Sequence, residues 1–287
     1  MVISLKIPYE IGGSVMHKKV KFKILFIAAF IFTIVFAAGF AYSISITNAS
    51  GSTSSKVTNK GSENKAVDTK IRKLNSNSYN ILVMGDSLAR GTGDETNSGF
   101  ANDFSKLWKN KAKKPIDVTN IAVNGDVSSG LLNIVKSKQT LQYIQDSNMI
   151  FISIGGNEIK NFKNLSTVSS VVQTDSLKTV ENKYMKNLSD VFKLIRSRNQ
   201  NSIIVFIGLY NPFGSELTED KLGLLNEWNY KTEQLVSSDD NAIYIPTYDL
   251  FKYNSGNYFA ADNFHPNSIG YEAISKRMFE ALKNYKK

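Results

Sequence analysis

From residue 78 onward, short apolar, β-branched runs alternate with longer amphipathic stretches, and this alternation admits few folds. The runs at Asn80–Met84, Ile116–Val123, Met149–Ile154, Ser202–Leu209 and Ala242–Ile245 read as strands. The stretches at Gly99–Lys111, Ser129–Ile144, Ser176–Arg198, Glu216–Val236 and Ser268–Asn284 read as helices. In the last of them Tyr271, Ile274, Met278, Leu282 and Tyr285 recur at three- and four-residue steps, forming one packed face. Strands that are apolar nearly throughout need cover on both faces, which a parallel sheet with helices on each side provides. The expectation is one α/β domain over residues 78–287, long enough for a proper core.

Upstream the pattern changes. Ile24–Ala41 is apolar apart from Thr33 and Gly39, and its 18 residues would rise about 27 Å as a helix, close to the hydrocarbon core of a bilayer. Lys18, Lys19, Lys21 and Lys23 precede it, so residues 1–23 are expected to stay cytoplasmic and everything beyond residue 46 to face outward. Residues 24–46 thus read as a single transmembrane anchor, or as a signal segment cleaved near Gly39-Phe40-Ala41 with release of the rest. Met16-His17-Lys18-Lys19 resembles the opening of an export signal, so translation starts at Met1 or at Met16. Residues 47–77 are rich in Ser, Thr, Asn, Lys and Gly and read as a flexible linker, because such a stretch buries too little apolar surface to offset its chain entropy.

Bulk composition excludes several classes. The chain has no cysteine, so disulfides, thiolate metal sites and lipidation through cysteine are absent. Its net charge is +10, but the lysines are scattered and no arginine-rich stripe or aromatic RNA-binding signature accompanies them, so no nucleic-acid partner is expected. An anionic wall polymer or lipid surface suits the charge better. No phosphate cradle or metal-ligand cluster is visible, so neither cofactor nor metal is expected. A monomer is expected.

Ligands of open α/β sheets bind beyond the carboxyl ends of the strands, and the polar and glycine-rich loops of this sequence fall there. Ser87 follows the first strand, Asn124-Gly125-Asp126 the second, Gly155-Gly156-Asn157-Glu158 the third and Asn211-Pro212-Phe213-Gly214 the fourth. Asp262 and His265 precede the last helix. Taken singly each loop has a plain explanation as a turn or a helix cap; their convergence on one sheet edge is the stronger signal. The chain has two histidines, and His17 lies across the expected membrane segment, so a histidine base in the outer domain must be His265. Ser87 needs such a base to become a nucleophile. Asp262, three residues before the histidine, can fold back to the imidazole Nδ1–H. The backbone N–H of Ser87, the backbone N–H of Gly125 and the side-chain amide of Asn157 are candidate donors to a tetrahedral oxyanion.

Gly85-Asp86-Ser87-Leu88 resembles the first conserved block of the GDSL esterases and lipases, within the SGNH hydrolase superfamily. Gly125 matches the glycine of the second block, Asn157 the asparagine of the third, and Asp262-Asn263-Phe264-His265-Pro266 the fifth block. The resemblance spans residues 79–287 and implies a three-layer, flavodoxin-like fold with a five-stranded parallel sheet. It also implies a Ser87–His265–Asp262 triad and an oxyanion hole formed by Ser87, Gly125 and Asn157. One departure stands out: the third block usually continues with aspartate, where this chain has Glu158, which should change local loop packing or hydrogen bonding. Asp86 is expected to shape its loop. The α/β-hydrolase fold is disfavoured, because Ser87 is followed by Leu88-Ala89 and the acid and histidine are only three residues apart.

The substrate is less legible. Tyr210 and Phe213, beside the expected nucleophile, would bind an acyl chain or a sugar ring, or simply pack their loop. Residues 161–174 read as a rim over the site or as a long surface loop. The leading expectation is an outward-facing, membrane-tethered esterase acting through an acyl-enzyme on lipid or lysophospholipid esters. The alternatives are an O-acetyl esterase of wall glycans and a non-catalytic cell-surface binding module.

Overall fold

The computed structural model describes residues 71–160 and 171–285. The expected cytoplasmic segment, the expected anchor, the expected linker as far as residue 70 and residues 161–170 of the expected insertion lie outside the described residues. No helix among the described residues is long and apolar enough to cross a membrane.

Five strands form one parallel sheet: β1 (Tyr79–Gly85), β2 (Ile116–Asn120), β3 (Met149–Ser153), β4 (Ile203–Ile207) and β5 (Ala242–Ile245). Their order is β2-β1-β3-β4-β5, the doubly wound arrangement in which the chain reverses direction between β1 and β3. The register places Val83 beside Asn120 and Phe151, and Gly85 beside Ser153, so the loops after β1, β2 and β3 leave the sheet side by side. Among the described residues the helices are α1 (Ser87–Arg90), α2 (Gly99–Ala112), α3 (Ser128–Val135), α4 (Lys138–Asp146), α5 (Gly156–Ile159), α6 (Val171–Arg198), α7 (Glu219–Ser237), α8 (Tyr248–Tyr258) and α9 (Ser268–Leu282).

Alternation along the strands divides the core in two. Leu82, Met84, Ile150, Ile152, Ile204 and Phe206 face one way and pack against Leu131, Val135, Ile144, Tyr184, Val191 and Trp228 of α3, α4, α6 and α7. Ile81, Val83, Phe151, Val205 and Ile207 face the other way, against Phe100 and Phe104 of α2 and Tyr271, Ile274 and Met278 of α9. Each fully buried side chain of this size contributes roughly 1.5–3 kcal/mol of transfer free energy. The result is the three-layer α/β fold expected from the sequence.

Several elements differ from those expected. The expected helix over Ser129–Ile144 is two helices, because the Ser137 hydroxyl accepts the Thr140 N–H at 3.1 Å and caps a new helix there. Strand β2 ends at Asn120, although Ile121 and Val123 still donate backbone hydrogen bonds to Val83 and Gly85 of β1. The long helix starts at Val171, inside the expected insertion. Helix α8 was not expected: a non-helical Asn254 kinks it and only Phe251 is buried, so it shows no apolar period. In α9, Tyr271, Ile274, Met278 and Leu282 are fully buried as expected, whereas Tyr285 lies beyond the helix end and donates to Asn241 Oδ1 at 3.1 Å.

Candidate active site

Gly85 ends β1 at φ 126°, and a Cβ there would lie 1.9 Å from the Ser153 carbonyl oxygen. Only glycine lets the chain turn this close to β3. Asp86, fully buried, then caps α1: its Oδ1 accepts the Leu88 N–H at 3.1 Å and the Ser153 hydroxyl at 3.3 Å. Burial pushes its carboxyl up to about 7 against the opposing Leu88 hydrogen bond, with Glu158 adding to the rise. Asp86 therefore shapes the loop, as expected from the sequence. Ser87 is the first residue of α1, half-buried, with its side chain free to face the cleft.

His265 arrives from the other end of the chain. Its Nε2 lies 2.9 Å from Ser87 Oγ, and its Nδ1 lies 2.6 Å from Asp262 Oδ2. The other carboxylate oxygen of Asp262 accepts the backbone N–H groups of Phe264 and His265 at 3.0 and 2.9 Å, which closes the four-residue turn. Burial raises the Asp262 carboxyl, but its hydrogen bonds from the His265 ring and the Phe264 and His265 backbone outweigh this and hold it below the ordinary carboxylate range. It stays ionised and keeps the imidazole in the tautomer whose Nε2 can accept a proton from Ser87.

Across the cleft stand three potential donors. The backbone N–H groups of Ser87 and Gly125 have no intramolecular acceptor among the described residues, and Gly125 is exposed at φ 79°. Asn157, on α5, donates one amide hydrogen to the Asp126 carbonyl at 2.8 Å, leaving the other for a ligand. The described structure thus brings Ser87, Gly125, Asn157, Asp262 and His265 to one edge of the sheet.

Tyr210 and Phe213 line the same cleft with Leu88, Ile159, Leu209 and Phe264, around a cavity of about 50 Å³. A wider, more open hollow of about 370 Å³ adjoins it, bordered by Thr92, Asn124, Gly125 and Lys160. Tyr210 does more than line the wall. Its ring lies against Phe251, with centroids 4.1 Å apart, and its hydroxyl donates to the Phe264 carbonyl at 2.9 Å, bracing the backbone just before His265. Phe213 approaches Phe264 with ring centroids 6.0 Å apart.

Other supports had no sequence signal. Tyr271 donates to the Thr92 carbonyl at 2.8 Å. Glu95 accepts the Ser268 N–H at 3.0 Å and also the Ser268 hydroxyl, which anchors the start of α9 beyond His265. Gly93 passes so close that a Cβ would sit 2.7 Å from the His265 Cβ. Each partner lies far away in sequence, so no local pattern marks it.

The model of the GDSL-like Lipase/Acylhydrolase family matches residues 81–278. The uncharacterized protein YpmR of Bacillus subtilis (strain 168) is 31% identical over 208 residues, covering 71% of this chain and 81% of YpmR. The spore germination lipase LipC of Bacillus licheniformis is 24% identical over 201 residues, covering 68% of this chain and 92% of LipC. The lipase Lip_vut3 from a goat rumen metagenome shares the fold, with a TM-score of 0.64 and 23% identity, over 71% of this chain and 97% of that one. With the family match running from within β1 to within α9, the chain belongs to the GDSL-like lipase/acylhydrolase family and is an ester-hydrolysing enzyme.

Proposed function

We propose that the protein hydrolyses carboxylic esters through a Ser87 acyl-enzyme. The observation that carries this reading is the continuous relay from Ser87 Oγ through His265 to Asp262, with contacts of 2.9 and 2.6 Å. His265 Nε2 takes the Ser87 proton as Oγ attacks the ester carbonyl, and the carbonyl oxygen becomes the oxyanion. The N–H groups of Ser87 and Gly125 and the Asn157 amide stabilise that charge; each such donor typically supplies about 3–4 kcal/mol. The imidazolium returns its proton to the leaving alcohol as the C–O bond breaks. Water, deprotonated by the same histidine, then adds to the acyl-enzyme and releases the acid and Ser87.

On this reading the enzyme works on the outer face of a membrane, tethered by residues 24–46 through the linker, or is secreted where that segment is cleaved. The substrate is a lipid or lysophospholipid ester, supported by the apolar cleft wall of Leu88, Ile159, Leu209, Tyr210 and Phe213. A second reading, an O-acetyl esterase of wall glycans, draws on the small size of that cavity, about 50 Å³, which suits a short acyl group.

Hydrolysis of p-nitrophenyl esters from acetyl to long chains, by the fragment from residue 71 onward, tests both. Ser87→Ala and His265→Ala are each expected to lower kcat by several orders of magnitude, leaving roughly 10³–10⁴-fold acceleration over water. Equal turnover by wild type and Ser87→Ala would reject Ser87 as the nucleophile. A preference for long chains supports the lipid substrate, and a preference for acetyl the glycan ester.

A further inference from the structure

Two consecutive side chains on α5 reach across to the loop after β2. Asn157 holds the Asp126 carbonyl at 2.8 Å, and Glu158 Oε1 accepts the Ser128 N–H at 2.5 Å. These contacts close just beyond Gly125, whose N–H is the backbone donor on that side of the cleft. Ser128 is buried and opens α3, yet the residue before it, Val127, has no side chain able to cap the helix. Glu158 supplies the missing acceptor from a different element. Ser128 is gripped a second time, by Asn187 Nδ2 of α6, which donates to its hydroxyl at 3.0 Å.

We propose that Glu158 is a positioning residue that locks the β2 loop to α5, and so fixes the spacing between the Gly125 N–H and the Asn157 amide. The inference rests on the serine-hydrolase reading above, because it concerns the donors that reading assigns to the oxyanion. Glutamate has the reach for this contact: aspartate, the residue the family usually carries here, is one methylene shorter and would leave the Ser128 N–H beyond hydrogen-bonding distance on the same backbone. Burial pushes the Glu158 carboxyl up, with the Asp126 carboxylate adding to the rise. Its Oε2 is buried and has no partner among the described residues. One acceptor oxygen, rather than a full charge, is what the contact uses, so glutamine is the fitting substitute.

The test compares Glu158→Gln, Glu158→Asp and Glu158→Ala with wild type, using p-nitrophenyl butyrate for turnover and phenylboronic acid as a tetrahedral mimic of the oxyanion state. Full loss of one oxyanion donor costs about 10²–10³ in kcat, so misaligning one is expected to cost tenfold or more. Glu158→Ala and Glu158→Asp should each lose about that much in kcat, with KM within about twofold, and bind the boronic acid correspondingly more weakly. Glu158→Gln should stay within about twofold of wild type on both measures. A folded Glu158→Ala with wild-type kcat overturns the inference. So does a Glu158→Gln variant as impaired as Glu158→Ala, which would assign the effect to charge. Should Glu158→Ala not fold, Glu158→Asp and Glu158→Gln still decide the question. If wild type fails to hydrolyse any ester, the serine-hydrolase reading falls; if it turns over and Glu158 proves indifferent, only the positioning role falls.

Discussion

Asp86 is a carboxylic acid whose chemistry the fold strongly alters. An unfolded chain releases its proton in the ordinary carboxylate range, whereas the buried side chain holds it up to about pH 7. Between those limits unfolding releases a proton, so raising the pH favours the unfolded state. The contribution of Asp86 to stability is therefore greatest at the acid end, is lost as pH rises toward 7, and stays constant above that. Asp86→Asn keeps the oxygen that accepts the Leu88 N–H and removes the titration. Thermal melts between pH 4.5 and 8 should show the variant gaining on wild type with increasing pH, by a few kcal/mol at the upper end. Identical pH profiles would mean that the carboxyl is not desolvated as described. Asp262 is the opposite case, an exposed carboxylate held ionised by the turn it closes. At this scale the sequence was informative where chemistry and spacing coincide, as in the three-residue interval from Asp262 to His265. It was silent about the second role of Tyr210, whose hydroxyl braces the Phe264 carbonyl while its ring lines the cleft.

Among the elements, the turn from β1 into α1 positions Ser87, the proposed nucleophile. Gly85 combines a positive φ with a backbone oxygen 1.9 Å from any added Cβ, so Gly85→Ala cannot be relieved by turning a side chain. Loss of at least about 2 kcal/mol is expected, with kcat falling as Ser87 shifts. Urea denaturation together with turnover checks this, and an alanine variant of unchanged stability and activity would contradict the described turn. The strands and α9 were readable because their apolar periods are long and regular. The break at Ser137 and the whole of α8 were not. A single serine hydroxyl decides the first, and the second is an irregular helix with Phe251 as its one buried residue.

For the molecule as a whole, the separation of anchor from catalysis is the main expectation. The relay, the candidate oxyanion donors and the cleft all belong to residues 86–265. Removing residues 1–46 should leave kcat/KM for a soluble ester within about twofold, while fractionation of cells should shift the protein from the membrane fraction to the soluble fraction. A large loss of turnover on truncation would place part of the site upstream.

The sequence alone determined the layer architecture, since burial on both faces requires apolar strands and one-sided helices, and both periods are local. It also determined the reaction class, because the histidine and its acid lie within one turn and the remaining loops follow identifiable strands. Tertiary structure decided the distances that make those residues a site. Ser87 and His265 are 178 positions apart, and they meet at 2.9 Å because the sheet order sets the loop after β1 beside those of its neighbours while α9 packs on the same face as α2. It also decided the supporting contacts of Tyr210, Glu95 and Glu158. Their partners are brought together by strand register and helix packing, which no local pattern encodes.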